Sequence, residues 1–119
     1  MFFCGYIDGK YSHLKLYMNT DRELENYEVL YSKKYRNNDY DKFDEILTNF
    51  IQDTNLESFD CISLACSAPI IENKVHFSNS NWIIDKEHIE KTYSIKVFLL
   101  NDFEFSSDNA YVKAFQETL

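Results

Sequence analysis

Apolar positions recur with a period of two near the start of this chain. Phe2 to Ile7 is an apolar run rich in β-forming residues, and Tyr11 to Met18 alternates apolar with polar residues, which predicts two strands, the second half-buried. Asp8-Gly9-Lys10 between them is a turn signal, so the two strands are expected to form a hairpin. A third strand is predicted over Tyr27 to Lys33, with three apolar side chains on one side: Tyr27, Val29 and Tyr31.

A helical period follows. Asn37-Asn38-Asp39 carries short polar side chains that can cap free N–H groups, so a helix is predicted to start there. Apolar residues then recur at spacings of three and four: Phe43, Ile46, Leu47, Phe50 and Ile51. Phe59 to Cys66 is a nearly continuous apolar run, which predicts a central strand covered on both faces.

The second half of the chain contains shorter elements. Ala68-Pro69 ends the central strand, and Ile70-Ile71 with Val75-His76-Phe77 predicts a small hairpin. Ser78 to Trp82 is predicted as a polar loop that ends on an aromatic core anchor.

The remaining elements are another helix, a strand and a tail. Asp85 is predicted to cap a helix from Lys86 to about Tyr93, and Ile95 to Leu100 is a buried strand by composition. Ser107 to Leu119 has a weak helical stripe. The predicted order is βββαβ, a small hairpin, then αβα, in one domain over residues 1–119.

The net charge of the chain disfavours two classes of binding partner. The chain has 20 acidic and 12 basic residues and a net charge of −8, which disfavours nucleic acids and anionic membranes as partners. Its one basic run, Lys33-Lys34-Tyr35-Arg36, is interpreted as a solvated strand end or loop. No leader or membrane span is predicted, and the localisation is expected to be cytoplasmic.

Cysteine and histidine spacing does not indicate a metal or redox site. The three cysteines are expected to be buried, reduced thiols: Cys4, Cys61 and Cys66. The three histidines lie on different predicted elements, so no metal site is expected: His13, His76 and His88.

Several segments together resemble the N-terminal lobe of bacterial glucokinases. Cys61 to Ile70 resembles the family's strand and Pro-turn, Phe77 to Trp82 its "T-N-x-x-W" loop, and Val97 to Phe103 its "N-D-F" strand end, while Phe2 to Leu16 fits its first hairpin. The resemblance implies an α/β fold. It would be a single actin-like (ribonuclease H-like) lobe with a mixed sheet, an antiparallel hairpin and then α/β units.

The resemblance also implies roles for particular residues. Asp102 matches the general base that takes the proton from the sugar 6-hydroxyl, and Asn101 and Asn79 match sugar-binding positions. The residues alone support plainer roles, with Asp102 as a helix cap and Asn101 closing its strand.

The family's first loop, "D-x-G-G-T-N-x-R", is degenerate here. Tyr6 stands at the position of the magnesium-orienting acid, Asp8 replaces the first glycine, Lys10 replaces the Thr and His13 replaces the Arg, so Gly9 alone is kept. A phenol does not replace a carboxylate at magnesium, and Asp8 would repel a phosphate.

These departures set the functional expectations. The leading hypothesis is an inactive, glucokinase-derived pseudoenzyme that uses no cofactor. It would function by binding, either to a second copy of itself or to another protein, through an exposed apolar patch. The alternative is part of an ATP- and Mg²⁺-dependent sugar kinase, completed by a separate large-lobe polypeptide, with weak glucose binding by this lobe alone. A third is an unrelated α/β domain with chance similarity.

Overall fold

The computed structural model describes residues 1–19, 27–56, 58–77 and 82–101. Two α-helices lie in this part of the chain, α1 (Phe43–Thr54) and α2 (Lys86–Tyr93). The strands are β1 (Phe2–Ile7), β2 (Tyr11–Asn19), β3 (Tyr27–Arg36), β4 (Cys61–Cys66), β5 (Ile70–Ile71), β6 (Lys74–His76), β7 (Ile83–Asp85) and β8 (Lys96–Asn101). The predicted tail helix from Ser107 lies outside the described residues.

The main sheet is mixed, as the sequence predicts. Its strand order is β3-β2-β1-β4-β8. β1 pairs antiparallel with β2, and β2 with β3, whereas β1–β4 and β4–β8 are parallel. The antiparallel strands β1, β2 and β3 follow one another directly along the chain. The parallel pairs β1–β4 and β4–β8 need longer crossover connections, and these connections contain the helices.

β4 is the predicted central strand, with β1 and β8 as its neighbours. All six of its residues are buried. The observed strand begins at Cys61 rather than at Phe59, whose ring instead packs 4.1 Å from that of Phe3. A continuous apolar run therefore corresponds here to a strand covered on both faces.

The two faces of the main sheet carry separate clusters. The face toward the helices holds the larger core, in which Phe3 of β1 meets Phe50 of α1 with ring centroids 5.3 Å apart. α2 contributes Ile89 to this core. The opposite face holds a smaller buried cluster of four residues: Phe2, Cys4, Tyr17 and Cys61. β2 alternates buried Leu14 and Leu16 with half-buried His13 and Lys15, as predicted, but the prediction is wrong at Tyr17, which is 3% exposed.

A β-bulge corrects the predicted pattern of β3. Leu16 pairs with Tyr31 and Tyr17 pairs with Val29, so Leu30 is an extra residue in the ladder. Val29 and Tyr31 therefore lie on different faces of the sheet, not on one side as predicted. Val29 is 45% exposed, while Tyr31 packs against the core.

The first predicted helix starts later than its polar signal indicates. Asn37–Asp39 forms a single 3₁₀ turn, and α1 begins at Phe43 after Lys42, whose side chain makes no capping hydrogen bond. The Asn37 side chain is engaged with the first hairpin instead, so it is not available as a cap. α2 agrees with the prediction, since the Asp85 carboxylate accepts hydrogen bonds from the N–H groups of Glu87 and His88.

The small hairpin is one strand larger than predicted. β7 adds to β6, with Val75 facing Ile84, and a second sheet of order β5-β6-β7 results. A three-residue strand shows too little periodicity to be recognised in sequence. In the described residues, no helix is long and apolar enough to cross a membrane.

Burial raises the pKa of the Cys61 thiol to about 11, with a further contribution from the Asp60 charge, and raises that of Cys66 to about 12. Burial also raises the pKa of the Tyr35 hydroxyl above its ordinary value of 10.0. All three cysteines are buried and form no disulfide, as predicted. Cys61 and Cys66 carry almost no thiolate at neutral pH, so these two thiols are not nucleophiles.

Gly5 is expected to tolerate no larger residue. A Cβ at this position would lie 2.5 Å from Cδ2 of Leu14 and 2.9 Å from Cδ2 of Leu64, both of which are fully packed in the core. Gly5→Val should lower the free energy of unfolding by about 1–3 kcal/mol through overpacking. Urea denaturation measures this, with Lys91→Ala on the exposed side of α2 as a control. Equal stability of Gly5→Val and the native chain would contradict the packing described.

The free energy of unfolding should fall as the pH rises above about 9. Thiols of the unfolded chain ionise near 9.0, whereas Cys61 and Cys66 in the folded chain keep their protons to a higher pH. The folded state then binds more protons, so stability decreases by up to about 1.4 kcal/mol per pH unit for each buried thiol. Urea denaturation at several pH values should show a smaller decrease for Cys66→Ala. The same slope for both proteins would be evidence against this linkage.

Candidate functional site

The carboxyl ends of three parallel strands meet at one edge of the main sheet. Ile7 of β1, Cys66 of β4 and Asn101 of β8 are in register across these strands. Adjacent strands lie about 4.8 Å apart, so Ile7 and Asn101 are separated by roughly 10 Å. The turn after Ile7 and the end of β8 therefore border one region, here called the carboxyl edge.

Asn101 lies where the sequence predicts, at the end of its strand. It is the last residue of β8 and is exposed. The other two predicted sugar-site residues, Asn79 and Asp102, lie outside the described residues, so the structure places only one member of that set. The sugar-binding and catalytic roles of these three residues stay predictions.

The turn between β1 and β2 is closed by its own carboxylate. Oδ1 of Asp8 accepts hydrogen bonds of 2.7 Å from the backbone N–H of Lys10 and 2.6 Å from that of Tyr11. The Asp8 N–H donates to the carbonyl of Tyr11 at 3.0 Å, which closes the hairpin. This is the behaviour of Asp in turns, where its side chain takes up backbone donors a few residues ahead. An anionic oxygen of the protein thus already occupies two N–H groups of the turn that the sequence predicts to be a degenerate phosphate loop.

Asn37 holds the β1–β2 turn in place through three hydrogen bonds. Its Nδ2 donates to the carbonyl of Asp8 at 2.8 Å, and its Oδ1 accepts from the Ser12 hydroxyl at 2.7 Å. Its backbone N–H donates to the carbonyl of Lys10 at 2.9 Å. Asn37 is 6% exposed and Ser12 is fully buried, so these polar groups depend on each other for hydrogen bonding. Sequence analysis missed this role, because the partners are 25 and 29 residues apart.

Two of the five residues predicted for the degenerate phosphate loop, Tyr6 and His13, lie within strands. They face each other in the β1–β2 ladder, and Tyr6 packs against the cluster of Phe2 and Cys4 on the opposite face of the sheet. His13 Nε2 lies 2.8 Å from the Ser32 hydroxyl. Gly9 does not adopt a positive φ. Lys10 is exposed at the turn.

A separate polar cavity of about 270 Å³ lies between the amino ends of the two helices. His88 Nε2 and Asp44 Oδ2 are 2.9 Å apart on its wall, and Asp85 is committed to capping α2. Trp82 is 6% exposed and donates from Nε1 to the carbonyl of Tyr40 at 3.3 Å, so it is a core anchor as predicted. Among the described residues, no cluster of three His, Cys, Asp or Glu side chains has the geometry of a metal site.

Comparison with known proteins identifies the family. The profile described as Glucokinase matches residues 4–116. The fold is similar to that of glucokinase from an Antarctic psychrotroph, with a TM-score of 0.76 and 17% identity over 86% of this chain and 32% of the other. It is also similar to the Lmo2764 protein of Listeria monocytogenes, named as a candidate N-acetylmannosamine kinase, with a TM-score of 0.57 and 14% identity over 85% and 35% of the two chains.

These matches show the fold of the chain and how much of each kinase it corresponds to. No curated protein sequence matches. The chain spans about a third of the length of the two kinases, and its mixed sheet is that of one lobe of the actin-like fold. The interpretation of chance similarity is therefore wrong. Because the family profile covers nearly the whole sequence, the chain belongs to the glucokinase family.

Proposed function

We propose that this domain is a non-catalytic member of its family that acts by binding a protein, either a second copy of itself or another chain. The observation that carries the proposal is the pair of hydrogen bonds from the N–H groups of Lys10 and Tyr11 to the Asp8 carboxylate. A nucleotide phosphate would need such backbone donors, and it would have to displace a carboxylate that belongs to the turn.

The energetic balance disfavours that displacement. Each hydrogen bond to a charged group contributes about 1.5–3 kcal/mol, and both would be lost. The displaced carboxylate would remain beside the phosphate, where two like charges 4 Å apart repel by about 4 kcal/mol at the effective dielectric constant of a protein surface. Lys10 offsets part of this repulsion, but its exposed, flexible side chain does not replace fixed donors.

Exposed apolar residues support a protein as the partner. Val29 and Leu30 are 45% and 41% exposed at the bulge of β3, which is an edge strand of the main sheet. Ile71 and Ile83 of the small sheet are 63% and 50% exposed. Edge strands with exposed apolar side chains are surfaces on which another chain can pair or pack.

Asp8→Gly should raise the affinity for ATP–Mg²⁺ by at least about tenfold over the native chain, because it frees two N–H groups and removes a negative charge. Isothermal titration calorimetry measures this change. Asp41→Gly, which removes a charge at another exposed loop position, is the matched control and should leave the affinity unchanged.

A coupled assay with glucose and ATP–Mg²⁺ completes the test. The native chain should form no glucose 6-phosphate. Formation of the product, or an Asp8→Gly affinity equal to that of the native chain, would contradict the proposal.

One observation favours a second candidate, a partial sugar kinase completed by a separate large-lobe polypeptide that contributes to the ATP site. Asn101 is exposed at the carboxyl edge, as the sugar-binding position of the family pattern requires. Under this candidate glucose should raise the melting temperature of the domain, and Asn101→Ala should abolish that rise. Asn49→Ala, an exposed amide on α1, is the matched control. If glucose leaves the melting temperature unchanged, the result favours the non-catalytic binding function over this candidate.

A further inference from the structure

β3 leaves one edge of the main sheet open to another strand. It is ten residues long and stands at the end of the strand order, and in the described part of the chain no strand pairs with its outer side. After the bulge, its ladder with β2 is regular over residues 31–36. Alternate residues of this segment direct their N–H and C=O groups away from β2. We propose that this edge binds an extended segment of another protein in which acidic residues alternate with apolar ones. This inference rests on the proposed function and names the class of partner.

The two faces of this edge differ in their chemistry. Tyr31 and Tyr35 lie on the face toward the helices, where both rings pack in the larger core. Ser32, Lys34 and Arg36 alternate with them, so these three exposed residues lie on the opposite face. An added strand would therefore continue the apolar layer on one face and meet cations on the other.

The cations on the opposite face are not neutralised by the described residues. No described acidic side chain lies within ion-pair distance of Lys34 or Arg36. Lys34 Nζ lies instead 4.2 Å from the centroid of the Tyr11 ring. Lys33 is different, because it lies on the face toward the helices, where its Nζ is 3.5 Å from Oδ2 of Asp53. Acidic residues of a partner are thus favoured on one face only.

The net charge of −8 does not prevent this binding. Exposed charges are screened beyond about 8 Å at physiological ionic strength, so the local charges determine the attraction. Glu28 is the one acidic residue of β3. It lies roughly 20 Å along the strand from Lys34, beyond the bulge.

A second copy of β3 is a poorer partner for this edge. It would bring the same three cations to the pair, and like charges on neighbouring strands are destabilising. Lysine on an edge strand is one of the means by which proteins avoid such self-pairing. An acidic strand turns the same charges into an attraction, so the basic residues discriminate between the two partners.

The test uses a peptide of about eight residues in which glutamate alternates with valine and both ends are blocked. Isothermal titration calorimetry with the full chain should show saturable binding that weakens at higher salt. Lys34→Glu/Arg36→Glu should weaken binding by at least about tenfold, because like charges then face each other. Lys74→Glu/Lys91→Glu makes the same change of charge at exposed positions elsewhere and should bind as the native chain does. Circular dichroism checks that each variant is folded.

Two further peptides test backbone pairing, one N-methylated at the valines and the other at the glutamates. In an added strand, one of these sets of N–H groups faces β3 and the other faces solvent. One methylated peptide should therefore lose binding, and the other should retain it.

Three results overturn this inference: no saturation up to roughly 1 mM peptide, equal affinities of the two methylated peptides, or an equal loss in the control variant. A dimer of the native chain in sedimentation that the peptide dissociates also overturns it, because the edge would then bind a second copy. The proposed function is tested separately, since it is contradicted by formation of glucose 6-phosphate or by an unchanged ATP affinity of Asp8→Gly.

Discussion

The parallel pairing of β4 with β1 and β8 is the constraint on which the rest of this structure depends. β4 is buried along its whole length, so its backbone groups must be paired by both neighbours and its side chains must be covered on both faces. This pairing brings the ends of β1, β4 and β8 to one edge. The position of every candidate site residue in the described part of the chain follows from that edge or from the hairpin attached to it.

At this edge the chain keeps the fold of the family, while single side chains of the turn differ from the family pattern. The register of Ile7, Cys66 and Asn101 is a backbone property, which many sequences can satisfy. The properties of the turn depend on single side chains, and Asp8 satisfies the N–H groups that the family pattern leaves for phosphate. A fold can therefore be kept while the side chains of one turn change, and the two kinases share this fold at 17% and 14% identity.

Asn37 connects the β1–β2 turn with the core. It is bonded to the turn through Asp8 and Lys10 and to the buried Ser12. One buried amide thus orders the closed turn and joins it to the 3₁₀ turn that follows β3. Such a fully satisfied polar contact fixes a local geometry, which apolar packing alone would leave less specific.

The sequence by itself determined the type and approximate bounds of the longer elements. The strands around Phe2 and Cys61, the amphipathic helix through Phe43 and Phe50 and the Asp85 cap are local patterns of polarity or capping, so no distant residue is needed to recognise them. The order of the elements followed from the same local patterns, and the resemblance in the "N-D-F" and "N-x-x-W" segments indicated the family.

Only the tertiary structure decided where the polar groups find their partners. The burial of Tyr17, the bulge at Leu30, the third strand of the small sheet and the engagement of Asn37 with Ser12 each depend on contacts between segments distant in sequence. A polar or aromatic side chain can cap a helix, form a hydrogen bond or pack in a core, and its neighbours in sequence do not determine which of these occurs. The tertiary fold determines it by bringing a particular donor or apolar surface into contact, because a buried polar group needs a hydrogen-bond partner and a buried apolar group needs to be shielded from water.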